Sequence, residues 1–393
     1  MPIITNLLRM QQSEKVPFWR DSRVIKIIGQ VIVLAIVISA IAFLGNNLVN
    51  NFRRLNLTFG YNFLSRPASF GVANSPIAYR PTDPYTRVLL IGLLNSLRVM
   101  FFGIIFATII GITVGIGRLS DNWLVRKLAG VYVEIIRNTP LLLQLFFWYF
   151  AVFLKLPKID RPLVVGNLLF LTNRGLDVPW YEPGLPTWLA LLGILGCILL
   201  AIMGWFRRIK AVEQGKDARP WLWLMVGSAI AIILLFCFGI NWAIPQLEDK
   251  VIRGGLNLSP EFATLLIGLS IYTAGFIAEV VRAGIQSVSK GQTEAAKALG
   301  LKPTIMMQLV IFPQALRVMI PPLTSEFLNL AKNSSLAIAI GYSDIYAIGN
   351  TISNQTGKSV EILLIIMVVY LTINLVISSI MNRFNSLVQL KER

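Results

Sequence analysis

Eight apolar runs divide this chain, at about residues 24–44, 88–116, 131–154, 188–206, 221–242, 263–281, 323–342 and 360–381. Each is close to the roughly 20 residues that a helix needs to cross about 30 Å of hydrocarbon. In lipid every backbone N–H and C=O must find its partner within the protein, and a segment of this length achieves that only as a helix. The expected fold is therefore all-α: a polytopic membrane protein with eight transmembrane helices. With 55% hydrophobic and 14% charged residues, the composition is not that of a water-soluble domain. The first apolar run begins only near Val24, no small-residue cleavage site follows it, and it is expected to stay as an anchor.

The basic residues then orient the spans. Segments 1–26, 117–130, 206–220, 282–322 and 382–393 carry 21 Lys and Arg, against 12 in segments 45–87, 155–187, 243–262 and 343–359. The positive-inside rule predicts that both termini and the loop around Glu294 are cytoplasmic. The net charge of +17 thus reads as membrane topology and contact with anionic lipid. No stacking platform or recognition motif accompanies it, so nucleic acid is not an expected partner.

Several chemistries are excluded. The chain has no His, which removes His-dependent general bases, Ser/His/Asp and Cys/His nucleophiles and His-ligated metals. Neither a catalytic residue nor a cofactor is expected. Cys197 and Cys237 sit at different depths in one pair of spans and read as apolar packing residues. Gly357-Lys358-Ser359 imitates the end of a phosphate-binding loop, but Ile352 stands where the first Gly belongs. ATP hydrolysis, if the chain depends on it, must take place in a separate subunit.

The loop of about 40 residues between the sixth and seventh spans contains a short helix signal. Thr293 is placed to cap it, Glu294 to complement its positive end, and Ala295, Ala296, Ala298 and Leu299 are good helix formers. Gly300 is expected to supply a left-handed stop, with Pro303 soon after. So short a helix needs something to dock into, and Ala295 and Leu299 offer an apolar knob for a groove on another protein.

From Ala278 to Leu336 the pattern becomes specific. Ala278-Glu279-Val280-Val281-Arg282-Ala283-Gly284-Ile285, Gly291-Gln292, Glu294 to Leu301, Pro313-Gln314-Ala315, Arg317, Pro321-Pro322-Leu323 and Lys332 to Leu336 resemble the cytoplasmic loop of polar amino-acid permeases of ATP-binding-cassette importers. Arg137-Asn138-Thr139-Pro140-Leu141 with Gln144-Leu145-Phe146-Phe147 is similar to a second block of that family. Asn354-Gln355-Thr356-Gly357 with Val360-Glu361 resembles its general L-amino-acid branch. Val310 and Phe312 replace the usual Ile and Leu, and Asn333 stands where the family has Asp.

The resemblance spans roughly Val88 to Phe384 and implies a five-helix type I permease core in the bacterial inner membrane. It also implies half of a translocation pore driven by cassette ATPase subunits, a second permease subunit, an extracytoplasmic amino-acid-binding protein and an L-amino-acid substrate. The coupling loop at 282–322 would act through Glu294, Ala295, Ala296, Leu299, Gly300 and Pro313, with Pro313 and Pro321-Pro322 returning the chain to the membrane. On this plan residues 1–87 form an anchor helix with an irregular outer segment, 88–384 form the transmembrane domain, and a Trp-bounded hairpin is inserted at about 156–250. Segment 155–187 reads as a second irregular outer loop.

Polar residues inside spans are costly and invite functional suspicion. Gln144, Tyr149, Tyr272, Lys332, Ser334 and Ser335 are each compatible with an interhelical hydrogen bond, and together offer donors for a carboxylate and acceptors for an ammonium. Glu134 with Arg137, and Glu279 with Arg282, are expected to lock helix ends. Gly103, Ala107, Gly111 and Gly115 define a close-packing helix face. The competing class, an ion-coupled secondary transporter or channel for small polar solutes, calls for inverted repeats with broken helices or midplane acids, and the sequence displays neither pattern.

Overall fold

The computed structural model describes residues 22–54, 58–166, 168–214, 216–248 and 251–388, and forms two compact units that divide between Asn62 and Phe63. The N-terminal basic residues Arg9, Lys15 and Arg20, and Lys391 and Arg393, lie outside the described residues. The smaller unit holds one helix, α1 (Ser22–Arg54), apolar throughout its middle and closed by Arg53 and Arg54.

The larger unit begins with residues 63–84. Their side chains Phe63 and Ala68 are buried with Tyr85, Val88 and Ile91. This segment therefore packs as part of the membrane unit, and the boundary falls before Phe63 rather than after residue 87. The main helices follow as α2 (Tyr85–Gly117), α3 (Trp123–Asn138), α4 (Leu141–Phe146), α5 (Leu185–Glu213), α6 (Arg219–Leu234), α7 (Pro260–Gln286), α8 (Lys290–Ala298), α9 (Pro303–Met306), α10 (Phe312–Asn333), α11 (Ile345–Thr356) and α12 (Ser359–Val388). Among the described residues seven helices are long and apolar enough to cross a membrane, or eight if the pair α3 and α4 is one broken span bent by 106°.

Two spans depart from the sequence reading. The expected run 131–154 is broken at Asn138-Thr139-Pro140. Proline disfavours helix in the residue before it, and here Thr139 is extended at φ −109°, ψ 129°. The run expected at 323–342 is the later part of a continuous helix that starts at Pro303, twenty residues earlier, turns through a π segment at Met307–Ile311 and passes through Pro321 and Pro322 instead of starting after them. Its final part, Ser334–Ile340, tightens into a 3₁₀ helix that stops at Gly341.

Between α4 and α7 the expected irregular loops contain β-structure. The strands are β1 (Leu163–Val165), β2 (Leu169–Thr172), β3 (Gly175–Val178), β4 (Trp180–Tyr181), β5 (Trp242–Ala243), β6 (Gln246–Glu248), β7 (Val251–Arg253) and β8 (Leu256–Leu258). One sheet runs β1-β2-β3-β8, and β4 pairs with β5. These long-range pairs fasten the chain before α5 to the chain after α6, so the helical hairpin is closed at its base. Gly175 is needed there, because a Cβ would stand 2.3 Å from the Leu258 carbonyl oxygen.

α7 is the most buried span and organises the rest. The Gly103, Ala107, Gly111, Gly115 face of α2 lies along the core formed with α7 and α10: a Cβ on Gly111 would meet Ile277 at 2.5 Å, and one on Gly115 the Ala278 carbonyl at 2.8 Å. Met100, Ala107, Ile277, Val281, Ala315, Met319 and Leu330 form the resulting core. Five packed spans, α2, the broken α3–α4, α7, α10 and α12, thus make up the core, in the number and order expected of a type I permease.

Candidate functional site

At one end of the bundle, α8 follows the C-terminal end of α7 and lies on a small platform. Ala296 is 3% exposed and packs with Met306 and Ile311. Gln314 ties the platform to α10 by donating from Nε2 to the Val310 carbonyl at 2.9 Å and to Gln292 Oε1 at 3.3 Å. Gly300 takes φ +70°, the left-handed stop that the sequence predicts. Leu299 is 80% exposed, and Glu294 and Ala295 are exposed beside it.

The helix start differs from expectation. α8 begins at Lys290 after Ser289, so Thr293 is inside the helix and Glu294 lies past its first turn. Lys290-Gly291-Gln292 contain no apolar periodicity, which is why the sequence signal pointed later. Pro313 lies just past a π segment, Met307–Ile311, inside the continuous helix that runs from Pro303.

The end of α7 carries an ionic cluster. Glu279 accepts hydrogen bonds from Arg118, at the foot of α2, and from Arg282, while Arg137 approaches to 3.7 Å. Arg137 also lies over the Phe276 ring at 5.2 Å. The expected Glu279–Arg282 pair is present, whereas Arg137 turns to Glu279 rather than to Glu134. One carboxylate thereby joins the ends of three helices.

The six polar residues expected within spans divide into two groups. The Gln144 amide donates to the carbonyls of Ile136 at 2.9 Å and Thr139 at 3.1 Å, bridging the break between α3 and α4. Ser334, fully buried, donates to the Ala331 carbonyl at 2.8 Å. Both donate to backbone carbonyls, while the Gln144 Oε1 is left without a hydrogen-bond partner. Tyr149 donates to Glu261 at 3.0 Å, Tyr272 packs at a tilt against Phe276, and both border the apolar cluster that contains Leu145, Leu265 and Tyr342. Lys332 is exposed, and Ser335 is partly exposed although its hydroxyl donates to the Lys332 carbonyl.

The structure joins Lys332 to Ser325, Glu326 and Asn329, which the sequence reading missed. Pro322, Ser325, Asn329 and Lys332 are all exposed on α10, and at spacings of three, four and three they share one face. Glu326 lies at the edge of that face with Asn329 as its hydrogen-bond partner. An exposed polar stripe on a membrane span does not face hydrocarbon; it faces water or another protein surface. The recurrence of Ser325, Asn329 and Lys332 lies within the run expected at 323–342, but the sequence does not show that their shared face is exposed.

A membrane-embedded helical core thus carries a helix displayed at one end and a polar stripe on a span, and the resemblance of its loop residues implies a permease. Comparison with known proteins agrees. Residues 218–389 match the family model described as the inner membrane component of binding-protein-dependent transport systems. The chain is 44% identical to the putative amino-acid ABC transporter permease YhdX of Escherichia coli K12, covering 93% of this chain and 94% of that one. It is 42% identical to the general L-amino acid permease AapQ of Rhizobium johnstonii, over 95% and 94% of the two chains. With the glutamate/glutamine/aspartate/asparagine permease BztB of Rhodobacter capsulatus it shares 40% identity, over 95% and 96%. The chain belongs to the amino-acid ABC transporter permeases. Membership implies an ATPase partner and a binding protein, and leaves the ion-coupled transporter class without support.

Proposed function

We propose that this chain forms half of the translocation pathway of an ATP-driven L-amino-acid importer, with a second permease subunit supplying the other half. α8 is the surface that a cassette ATPase grips, and Glu294 to Gly300 carry the coupling. The observation that supports this best is the contrast between Ala296 and Leu299, three residues apart on α8. One is buried at 3% and pins the helix to Met306 of α9 and to Ile311, which leads directly into α10, while the other is 80% exposed at its open end. A partner that seizes Leu299 therefore moves α10 through a packed contact.

α10 in turn carries the stripe Ser325, Asn329 and Lys332, and we place the path along it, with Ser335, Tyr149 and Tyr272 near its outer half. Lys332 supplies a cation for the substrate carboxylate, and Glu326 and the hydroxyls supply acceptors for its ammonium. The names of the relatives support an amino-acid cargo of broad rather than narrow choice. The basic asymmetry supports cytoplasmic termini, with α8 inside and the β-sheets outside. The hairpin of α5 and α6, closed at its base by β3–β8 and β4–β5, is an insertion that serves assembly rather than the path.

The test is retention of a cassette ATPase. Tagged chain purified from a membrane that holds the whole system should keep the ATPase bound, and Leu299→Asp should release it. Equal retention by both forms contradicts the assignment of α8.

A further inference from the structure

Beside the ionic cluster, at the same end of the bundle as α8, lies a recess of about 640 Å³ between α3, the foot of α2 and α7. Four cations line it, Arg118, Arg126, Lys127 and Arg137, against two carboxylates, Glu134 and Glu279. Glu279 is already held by Arg118 and Arg282. Among the described residues neither Arg126 nor Lys127 has a carboxylate within ion-pair distance; Arg126 reaches only the Ser120 carbonyl at 2.8 Å. The recess therefore holds an excess of positive charge with polar hydrogens free to donate.

Its wall is strongly amphipathic. Leu124, Leu128, Val131 and Ile135 repeat at spacings of four, three and four and are 54, 62, 41 and 58% exposed. Val131, at the edge of this face, also lines the recess, together with Trp123, Arg126 and Lys127. α3 is bent 106° away from α4, so when α4 crosses the membrane α3 runs close to its plane. A helix that lies in the plane with an apolar face outward, and a Trp and basic residues beside it, has the geometry of the water–lipid boundary.

We propose that this recess is a binding site for an anionic phospholipid. Its phosphodiester head group accepts hydrogen bonds from Arg126 and Lys127, and its acyl chains lie against Leu124, Leu128 and Ile135. A free phosphate offers the head-group chemistry but nothing for the exposed apolar face, and an acidic amino acid likewise leaves that face uncovered. The proposal needs only that the chain sits in a bilayer, so it stands apart from the import function.

Trp123 reports the occupant. The full chain is placed in nanodiscs containing a varied fraction of dibrominated phosphatidylglycerol or dibrominated phosphatidylcholine, and Trp123 quenching is taken as the difference from Trp123→Phe. Phosphatidylglycerol should quench at a much lower mole fraction than phosphatidylcholine. Because each basic residue near a lipid surface contributes about 1 kcal/mol, Arg126→Gln with Lys127→Gln should raise the half-quenching fraction about 10- to 30-fold. The charge-conserving Arg126→Lys with Lys127→Arg should retain the preference, as should Arg207→Gln with Arg208→Gln in the last turns of α5. Equal quenching by the two lipids, or no change in the double Gln variant, overturns the site. Relief of quenching by excess inorganic phosphate or glutamate overturns it too, by assigning the recess to a soluble anion.

Discussion

Arg137, the last basic residue of α3, and Glu279, on α7, stand 3.7 Å apart, although 142 positions separate them in the chain. Glu279 also holds Arg118 and Arg282, so its carboxylate is the single negative charge that three guanidinium groups share. The Glu279 side chain is 26% exposed, which places the cluster between a surface pair and a buried one. Glu279→Gln should cost about 1–2 kcal/mol, because three cations are left facing one another. A thermal melt of the purified chain should show a clear loss for Glu279→Gln and little change for Glu134→Gln, which has no ion-pair partner among the described residues. Equal midpoints for the two variants contradict the shared-charge role.

The α2 face gives a ranked series. A methyl group on Gly115 meets the backbone oxygen of Ala278 at 2.8 Å, and one on Gly111 meets Ile277 at 2.5 Å, whereas one on Gly103 meets the tip of Leu330 at 3.4 Å. Backbone cannot move aside, a branched side chain moves at a cost, and a Leu tip rotates. Gly115→Ala and Gly111→Ala should therefore destabilise by about 1–3 kcal/mol, with Gly103→Ala nearly neutral. Folded yield after detergent extraction ranks the three, and a Gly103→Ala loss as large as that of Gly115→Ala contradicts the packing.

These two cases also show what the sequence could reveal. The four-residue spacing of Gly103, Ala107, Gly111 and Gly115 announces a close helix contact, because only a small side chain admits another helix. What it does not contain is the partner: α7 is chosen by tertiary packing. Glu279 with Arg282 was legible for the same reason, being three apart on one helix, while Arg118 and Arg137 come from helices far away in the chain. Apolar runs located the spans but could not show that Pro140 breaks one of them or that α10 runs through Pro321-Pro322. The β-sheets were hidden because strands of two to four residues leave too short a pattern to distinguish from a loop. Of the stripe only Lys332 was singled out from the sequence, because Ser325 and Asn329 within the same apolar run read as ordinary interhelical hydrogen-bonding residues until the exposure of their shared face is seen.

On the β-sheet, Asp177 pairs with Asn257, whose amide donates to the carboxylate at 2.8 Å. Burial raises the Asp177 pKa and the Asn257 hydrogen bond partly offsets this. A raised folded-state pKa means that the folded sheet favours the protonated acid. Its stability therefore increases as pH falls through that value and is lower in the ionised form above it. Asp177→Asn should match or exceed the parent at neutral pH and abolish this pH dependence. Asp177→Leu should cost about 1–3 kcal/mol by stranding the Asn257 amide. Limited proteolysis of the 155–187 segment across pH reads both effects, and a parent that becomes more resistant with rising pH contradicts the sign.

The topology follows from the basic asymmetry. In a chain with Cys197 and Cys237 replaced by Ser, single cysteines at Thr82 and Asp160, both exposed, should react with an impermeant maleimide in intact cells. One at Asp121, exposed beside the foot of α2, should react only after the membrane is opened. The reverse pattern inverts the orientation and places α8 outside, where no ATPase can reach it.

Coupling through α8 is the claim on which the functional proposal rests. Gly300 adopts φ +70°, and a methyl group placed on it would meet nothing within 4 Å, so Gly300→Val acts through backbone conformation and not through a clash. Forcing a β-branched residue into this region costs about 1–3 kcal/mol and distorts the end of the helix that displays Leu299. The complex assembled from this chain, its permease and ATPase partners and the binding protein is reconstituted in vesicles, and ATP hydrolysis is followed with and without loaded binding protein. With Gly300→Val the stimulation by loaded binding protein should collapse, while membrane insertion and the affinity of the binding protein for its amino acid stay unchanged. Stimulation at the unmutated level would show that α8 does not couple hydrolysis to transport.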